Sequence, residues 1–522
     1  MRSITGVFAA LACSGAVLAG CGGTGPAVVG PGPDSSAEYS STSSGTSASA
    51  DATAARAKIP EADWLRFDYD AQRSGVGPAD TGITARNVRR LRLRTVRLPG
   101  TADSSAIELA GVTVRGRKRD VIVLTTTYGH TLAIDPGSGR RLWEFTPADI
   151  HSYLGSAQFT TATPIADPDR AFIYAATPDG RIHKLALGNG REVRSGGWPV
   201  SVTVDPTHEK IASPLNISGG SLIVATDGYI GDIPPYQGHV VTISLATGRI
   251  SAVWNTLCSD RHTLIDPPRS CPASDSAIWG RNAPVIEPGT GRILVATGNA
   301  PFNGSTYWGD SVLELSPDGS TLLHNWTPVD QARLNSDDLD LGSTSPGVLP
   351  VFDGRRLAVQ GGKAGVLDLL DLDALDGTTG PAGPRTGGQL QELSSPGGDQ
   401  VFTAPAVWSH NGRIWVFVGD NSGTWAYTLG GSGASPRLSV AWKSGNGGTS
   451  PVIAGGLLYV YDPGGSLDVY EPTTGHRLAS FSSGGGHWNS PIVVGGRVIL
   501  PVGNANDHST SGTLDIWHLP GR

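Results

Sequence analysis

The sequence predicts an all-β fold, an eight-bladed β-propeller built from four-stranded antiparallel blades. Two repeated patterns carry this prediction. In the first, an alternating apolar strand leads through an acidic, Gly-containing turn to a second strand, as in YGHTLAIDPGSGRRLWEF (128–145) and GGSLDVYEPTTGHRLASF (464–481). In the second, a small residue stands before proline, and two short apolar strands follow around a Gly-rich turn. One copy of each pattern supplies four strands in a period of roughly forty to fifty residues.

The proline pattern sets the expected number of blades. Its prolines are Pro164, Pro214, Pro284, Pro346, Pro405, Pro451 and Pro491. A further unit around residues 107–146 brings the expected number to eight. A single unit of this kind cannot bury both of its faces, so each blade needs neighbours on either side.

The composition agrees with this fold class. Glycine is abundant, with 72 residues in a chain of 522, and charged residues make up only 16%. Many short strands require tight turns and buried faces, which this composition provides. The formal net charge of −7 argues against nucleic acid or an anionic membrane surface as the main partner.

The N-terminal residues predict export from the cytoplasm. Residues 1–21 combine the basic Arg2 with a short apolar run, and Leu18–Cys21 resembles the bacterial lipobox, a signal whose cysteine is lipidated. The alternative is an ordinary secretory signal with an incidental cysteine. We expect an extracytoplasmic protein that is held at the cell membrane by a lipid on Cys21 and by nothing else.

Residues 22–59 are rich in Gly, Ser, Ala and Thr and contain almost no large apolar side chain. Such a composition cannot offset the entropy lost on ordering, so it predicts a disordered linker. The propeller is therefore expected in residues 60–522.

The cysteines of the folded part predict a disulfide. Cys258 and Cys271 bracket a single loop. In an oxidising compartment a two-cysteine loop favours a disulfide over a metal pair. The chain has no CxxCH motif, so no c-type haem is expected on it.

The ends of the chain are expected to meet in one blade. The final repeat, SGTLDIWHL (511–519), is followed by only a few residues and lacks an outermost strand. Arg and Leu alternate from Arg90 to Leu93, which predicts a strand with one buried face. A strand within residues 87–98 can fill the vacant place and remove the exposed sheet edges.

These patterns together resemble the quinoprotein alcohol dehydrogenase superfamily, whose repeat is named for pyrroloquinoline quinone (PQQ). The resemblance rests on the A-x-D-x-x-[TS]-G-x-x-x-W repeat, the opening W-x-x-F and the R-S-G that follows it, and covers roughly residues 60 to 519. The same repeat also builds non-catalytic propellers, including lipoprotein scaffolds of outer-membrane barrel assembly. The repeat tryptophans Trp143, Trp254 and Trp326 are therefore expected to pack between blades.

Two segments of blade four resemble the cofactor site of this superfamily. Trp279 in SDSAIWGRNAP matches a tryptophan on which the flat quinone stacks, although it could equally be a packing residue. Asn299 in ATGNAPFNG matches a calcium ligand, and an amide oxygen suits calcium. An asparagine after glycine also favours a turn without any metal. The acidic calcium ligand of the family has Asp232 as its nearest, displaced counterpart.

Two segments further along resemble the catalytic part of that site. In DLDLGSTSP (338–346), Asp340 and, as second choice, Asp338 stand where the family has its catalytic base. Acidic loops at a propeller mouth are also commonly only solvated. Lys363 in GGKAGVLDL matches a cation that reaches the quinone oxygens, where reduction places negative charge.

The late loops GHWNSP (486–491) and GNANDHST (503–510) gather further polar and aromatic side chains. They are interpreted as loop-capping residues, with a place at the axial mouth as the alternative. Their spacing fits no metal signature.

Two functions remain open from the sequence. The resemblance implies a PQQ- and calcium-dependent dehydrogenase that oxidises an alcohol or sugar hydroxyl and passes electrons to a separate acceptor. The alternative is a non-catalytic propeller that binds protein or cell-envelope partners. Convergence of Trp279, Asn299, Asp340 and Lys363 on one site would favour the enzyme.

Overall fold

The computed structural model describes residues 63–229, 233–377 and 385–521. The predicted signal segment, the linker, lipidation at Cys21 and the metal ligand Asp232 lie outside these residues. All of the described residues belong to one of the chain's two compact units, 57–522.

The described chain forms eight four-stranded antiparallel sheets, as predicted, and one two-stranded ribbon. An outer strand, β1 (Arg92–Leu98), comes first. Blade one contains β2 (Ile107–Val114), β3 (Arg117–Thr125), β4 (Thr131–Ile134) and β5 (Arg141–Phe145), and blade two contains β6 (Ile165–Ala166), β7 (Phe172–Thr177), β8 (Arg181–Ala186) and β9 (Val200–Ser201). Blade three contains β11 (Asn216–Ser218), β12 (Ser221–Ala225), β14 (His239–Ser244) and β15 (Ile250–Asn255), and blade four contains β16 (Val285–Ile286), β17 (Ile293–Ala296), β18 (Val312–Leu315) and β19 (Leu322–Trp326). The ribbon consists of β10 (Glu209–Lys210), which precedes blade three, and β13 (Asp227–Gly228), which lies between β12 and β14.

The second half of the ring follows the same plan. Blades five to eight contain β20 (Gly347–Val348), β21 (Leu357–Gln360), β22 (Val366–Asp371), β23 (Gln391–Ser394); β24 (Ala406–His410), β25 (Arg413–Gly419), β26 (Thr424–Ser432), β27 (Ser435–Ser444); β28 (Val452–Ala454), β29 (Leu457–Asp462), β30 (Ser466–Tyr470), β31 (Arg477–Ser482); β32 (Ile492–Val494), β33 (Arg497–Val502) and β34 (Gly512–His518).

Helical structure is sparse in the described residues. One short α-helix, α1 (Gln331–Ser336), follows blade four. The 3₁₀ turns are Val88–Arg90, Ile150–Ser152, Leu341–Ser343, Pro396–Gly398 and Ala505–Asp507. Within these residues, no helix has the length and apolar character needed to cross a bilayer.

The ring closes with strands from both ends of the chain. β1 pairs antiparallel with β34 along its whole length, from Arg92 opposite His518 to Leu98 opposite Gly512. The Thr95 hydroxyl also donates to Asp515 Oδ1 at 2.7 Å. The predicted closure is therefore confirmed, and β1 is the outermost strand of blade eight.

The repeat tryptophans lie between blades, as the pattern predicts. The Trp143 indole N–H donates to the carbonyl of Leu187 in blade two, and Trp442 donates likewise to Pro472 in blade seven, both at 2.7 Å. Trp254 and Trp326 are each 2% exposed. A large apolar ring with one donor thus joins each of these blades to the next.

The opening segment, residues 64–77, runs around the innermost strands of seven blades. Its backbone exchanges hydrogen bonds with Glu108, Ala166, Ile286, Val407 and Ile453. Its side chains supply two more contacts, from Arg66 to Asn216 and from Gln72 to the Val348 carbonyl, each at 2.9 Å. These partners lie in the first strands of blades one to seven in chain order. The W-x-x-F and R-S-G residues are therefore an axial element that holds the ring together.

The two cysteines of the folded part meet. The sulfur atoms of Cys258 and Cys271 are 2.20 Å apart. Both side chains are buried, and they pack with Leu257, Ile265 and Ala300.

Candidate active site

A cavity of about 220 Å³ lies on the axis of the ring. Its walls come from residues just before the innermost strands of several blades, among them Asp103, Thr161, Trp279, Asp340, Phe402 and Trp488. The opening segment contacts these strands a few residues further along the chain. The axial pocket therefore occupies the end of the ring at which the innermost strands begin.

Three of the residues singled out from the sequence converge in this pocket. Lys363 Nζ lies 2.5 Å from Asp340 Oδ2 and 5.5 Å from the centroid of the Trp279 ring. Trp279 precedes the first strand of blade four, Asp340 precedes that of blade five, and Lys363 lies between β21 and β22. An aromatic face, a carboxylate and an ammonium group thus meet at one place.

Asn299 joins this group through its backbone. Its N–H donates to Asp340 Oδ1 at 2.7 Å. The preceding Gly298 allows this contact, because a Cβ at that position would overlap the same carboxylate oxygen. The structure therefore places the T-G-N segment against Asp340, while the Asn299 side chain is not part of the pocket wall.

Asp338 lies at the edge of the site. Its carboxylate accepts a hydrogen bond from Lys363 at 2.9 Å, and its side chain is 62% exposed. Asp340, by contrast, is only 3% exposed. Of the two candidate bases, Asp340 is the one that faces the pocket.

The charges around Asp340 fix the state of Lys363. Burial alone would lower the pKa of Lys363, but the Asp340 and Asp338 carboxylates outweigh it and raise that pKa. Lys363 therefore carries a positive charge at neutral pH. Behind it, burial and the nearby Asp340 charge raise the pKa of Asp310 well above its ordinary value.

An aromatic wall faces this charged group. The ring centroids of Trp279 and Trp488 are 5.5 Å apart, and Phe402 lies 5.9 Å from Trp279 and 5.3 Å from Trp488. Phe402 and Trp488 are stacked, with 22° between their planes. The pocket therefore offers flat apolar faces beside a carboxylate and an ammonium group.

A second buried ion pair, Asp103–Arg281, also lines the pocket. Asp103 accepts hydrogen bonds from Arg281 at 2.9 Å, from His487 Nδ1 at 2.7 Å and from the Ala505 N–H at 3.0 Å. Burial would raise the pKa of Asp103, but Arg281 and His487 outweigh it and hold that pKa far below its usual range. The Arg281 guanidinium also lies 5.0 Å from the centroid of the Trp488 ring.

A third pair lies on the two-stranded ribbon. Lys210 and Asp227 face each other across β10 and β13, with Nζ 3.7 Å from Oδ2. Lys210 Nζ is also 5.1 Å from the centroid of the Phe159 ring. The pocket thus contains three cations, and each has its own carboxylate.

The interpretation of the late loops as capping residues is correct for Asn504 and His508, which flank the 3₁₀ turn Ala505–Asp507. The Asn504 side chain accepts from the Asn506 N–H and caps a 3₁₀ turn. His487, Trp488 and Asn506 line the axial pocket instead. The sequence analysis missed Asp103, Arg281 and Phe402, which share one feature, since all three stand shortly before a first strand.

Comparison with known proteins identifies the fold. No protein-family model and no curated protein matches the sequence. Among solved structures, a quinohemoprotein alcohol dehydrogenase of Pseudomonas putida HK5, ADHIIG, is 13% identical with a TM-score of 0.65, over 89% of this chain and 81% of the other. The chain has the quinoprotein alcohol dehydrogenase fold.

Two further structures are similar to a comparable degree. The quinohemoprotein alcohol dehydrogenase of Comamonas testosteroni is 14% identical with a TM-score of 0.63, over 90% of this chain and 82% of that one. A europium-containing methanol dehydrogenase is 15% identical with a TM-score of 0.62, over 88% and 98% of the two chains. At these identities the likeness establishes the eight-bladed quinoprotein fold alone.

The described residues do not by themselves form a calcium site in this quinoprotein fold. Among residues 63–229, 233–377 and 385–521, no three His, Cys, Asp or Glu side chains are grouped so as to hold a metal ion. Asn299 meets Asp340 through its N–H, and the Asp340 carboxylate is engaged by Lys363. No chemical step proposed below involves calcium.

Proposed function

We propose that the axial pocket binds a flat, anionic quinone of the PQQ type and that the protein oxidises an alcohol or sugar hydroxyl there. The observation that carries the proposal is the convergence of Trp279, Asp340 and Lys363 on one pocket. Each of these residues stands in a segment that resembles a segment of the quinoprotein dehydrogenases, and the three follow one another along the chain in the same order as in those enzymes.

The lining supports a ligand of this class. Trp279, Phe402 and Trp488 present aromatic faces against which a planar ring system packs. Lys210, Arg281 and Lys363 place positive charge near the pocket, which suits the carboxylates and reduced oxygens of such a quinone.

The pocket has to widen to admit a tricyclic ligand. Its volume of about 220 Å³ is below the range of about 300–1,000 Å³ that is typical of ligand sites. Trp488 stacks on Phe402 and belongs to the loop before β32 rather than to a strand. Movement of the Trp488 ring would open a space over the face of Trp279.

The protein residues supply charge and a proton acceptor. When bound, the quinone supplies the two-electron acceptor for the carbon-bound hydride of the substrate. Asp340 takes the hydroxyl proton, since its carboxylate lines the pocket and a carboxylate can act as a general base. Lys363 remains protonated and stabilises negative charge that develops in the pocket.

His487 is a second candidate for the proton acceptor. Its Nδ1 is held by Asp103, so the neutral imidazole keeps Nε2 as its acceptor nitrogen. An imidazole oriented by a carboxylate is a common general base near neutral pH. The variants Asp340→Asn and His487→Gln separate the two assignments. Only the substitution of the true proton acceptor should abolish turnover while quinone binding is kept.

Quinone retention tests the proposal directly. The purified protein is mixed with PQQ, with calcium or with a chelator, and passed through a gel-filtration column. We expect quinone absorbance to co-elute in near-equimolar amount with the wild type and to be lost from Lys363→Met. A requirement for calcium would show that a metal ion takes part in holding the quinone. Absence of retained quinone in both conditions would refute the proposed function.

One observation favours a second function, a non-catalytic propeller that binds protein or cell-envelope partners. Each cation of the axial pocket already has a carboxylate partner, and the Trp279 ring already packs against other rings. A pocket balanced in this way needs no ligand for its own stability. This function becomes the better one if no quinone is retained.

We also infer that the protein works outside the cytoplasm, attached by a lipid at Cys21 and containing a Cys258–Cys271 disulfide. The lipobox-like sequence and the close approach of the two sulfur atoms support this. Substitution of Cys21 by Ala should move the protein from the membrane fraction to the soluble fraction and abolish labelling by radioactive palmitate. Electrons would then pass to a separate acceptor in the same compartment.

A further inference from the structure

A second cavity, of about 270 Å³, lies against α1 and the strands β22 and β23. Its walls are mainly apolar and include Leu334, Leu341 and Val366. It is distinct from the axial pocket, because Asp340 and Lys363 line only the axial pocket, whereas Leu341 and Gly362 line the second cavity. Nothing in the proposed redox function uses this space.

An unpaired carboxylate faces this cavity. Asp368 on β22 is 7% exposed, and its Oδ1 is buried without a hydrogen-bond partner. It forms no ion pair with any residue of the described ranges. Glu392 on β23 lies directly opposite it, so two like charges are neighbours on one face of the sheet. A buried carboxyl group in this position either keeps a proton or takes a positive partner, which the described chain does not provide.

An unpaired donor lines the same cavity. The indole Nε1 of Trp326 is buried without an acceptor. Trp143 and Trp442, which lie two residues earlier on the fourth strands of their blades, donate to a backbone carbonyl of the following blade, each at 2.7 Å. Buried polar atoms without partners are rare in folded proteins, so two around one cavity require an explanation.

Charge determines which ligand fits. Asp330, Asp368 and Glu392 line the cavity with one cation, Arg333, which is 51% exposed and already pairs with Asp330 at 2.6 Å. An anion is therefore disfavoured. A metal ion is disfavoured as well, because the described residues contain no group of three metal-ligating side chains.

We propose that this cavity is a binding site for a small protonated organic amine. The ammonium group pairs with Asp368 and Glu392, and the hydrocarbon body packs against Leu334, Leu341 and Val366. An ammonium group is a donor only, so it satisfies Asp368 Oδ1. An amine that also carries an acceptor atom satisfies the Trp326 N–H.

The protonation of Asp368 agrees with this assignment. Burial, together with the nearby Glu392 and Asp330 charges, raises the pKa of Asp368 to about 8 in the protein without ligand. A bound ammonium opposes this shift, since it favours the ionised carboxylate. Binding below pH 8 should therefore release a proton from Asp368.

Calorimetry with benzylamine as the probe, at pH 7, tests the site in the full-length protein. We expect saturable binding of benzylamine and at least tenfold weaker binding of the neutral isostere benzyl alcohol. The heat of binding should vary with the ionisation enthalpy of the buffer, because a proton is released. Absence of saturable binding would mean that the cavity holds only water and would overturn the proposal.

Variants locate the site and do not depend on the quinone. Asp368→Asn should lower the affinity for benzylamine at least tenfold and abolish proton release, while Glu392→Gln should lower the affinity less. Asp337→Asn, an exposed acid at the end of α1 that does not line the cavity, is the matched control and should leave binding unchanged. Equal binding by wild type and Asp368→Asn would overturn the proposal even if the axial pocket binds quinone.

Discussion

His487 Nδ1 lies 2.7 Å from Asp103 Oδ2, although 384 positions of the sequence separate the two residues. Asp103 precedes the first strand of blade one, and His487 precedes the first strand of blade eight. Their hydrogen bond therefore crosses the junction at which the ring closes. The same carboxylate binds Arg281 at 2.9 Å and so links this junction to the axial pocket.

Replacement of Asp103 should destabilise the protein severely. Asp103→Asn leaves the Arg281 guanidinium, which is 3% exposed, without its buried partner, and such losses cost about 3–5 kcal/mol. Urea unfolding followed by fluorescence measures the change. Asp149→Asn, an exposed acid in a loop, is the control and should change stability by less than about 0.5 kcal/mol. Equal stability of both variants would contradict the ion-pair assignment.

Replacement of Lys363 should also reduce stability, because this residue forms a buried ion pair with Asp340. Lys363→Met removes the ammonium group that lies 2.5 Å from the buried Asp340 carboxylate, and loss of one partner of a buried ion pair costs about 3–5 kcal/mol. The double variant Lys363→Met/Asp340→Asn removes both charges and should recover most of this loss. A double-mutant cycle by chemical denaturation measures the coupling, which would be near zero if the two residues were independent.

The opening segment should be essential to the stability of the ring. Arg73 is 1% exposed and donates to the Phe67 carbonyl at 2.7 Å and to the Leu215 carbonyl at 2.8 Å. Arg73→Met should cost about 1–3 kcal/mol for each of these buried carbonyls, because each is left without its donor. Thermal unfolding compares this variant with Arg86→Ala, an exposed control that should behave as wild type.

Removal of the cysteine pair should lower stability moderately. The two cysteines are 13 positions apart, and cross-linking a loop of about that length contributes about 3 kcal/mol by the chain-entropy account. The double variant Cys258→Ser/Cys271→Ser should therefore unfold at a lower urea concentration than wild type. Dithiothreitol should shift the wild type toward the variant and leave the variant unaffected. An identical midpoint with and without the reductant would show that no disulfide is formed.

The free energy of unfolding should fall with rising pH, partly because of Asp368. Its pKa is raised from 3.8 to about 8 in the folded protein, so the folded chain keeps a proton that the unfolded chain has released. Stability contributed by this group therefore falls as pH rises from about 4 to about 8. Asp368→Asn should show a shallower fall of the unfolding free energy over this range. Parallel curves for variant and wild type would contradict the shifted pKa.

The sequence alone predicts the ring because its information is local and repeated. In each blade, period-two alternation predicts the strands and glycine predicts the turns. The final repeat lacks an outermost strand, which indicates that β1 closes the ring. Trp279, Asp340 and Lys363 are found for a similar reason, since each stands in a short segment that departs from the repeat.

The rest of the site depends on contacts between distant parts of the chain. Asp103 and His487 each stand shortly before a first strand, but only the closed ring brings blades one and eight together. The opening segment resembles an irregular leader, because its partners are one strand in each of seven blades. Trp326 stands two residues further along the fourth strand of its blade than Trp143 does, and its indole N–H has no acceptor in the described residues.

Among the strands of the described residues, β1 is synthesised first and its partner β34 is synthesised last. The hydrogen bond from Thr95 cannot form until Asp515, which lies 420 positions later in the sequence, has been synthesised. Contacts between such distant residues form slowly, since the intervening chain must be ordered at the same time. The ring therefore closes only after β34, the last strand, has been synthesised.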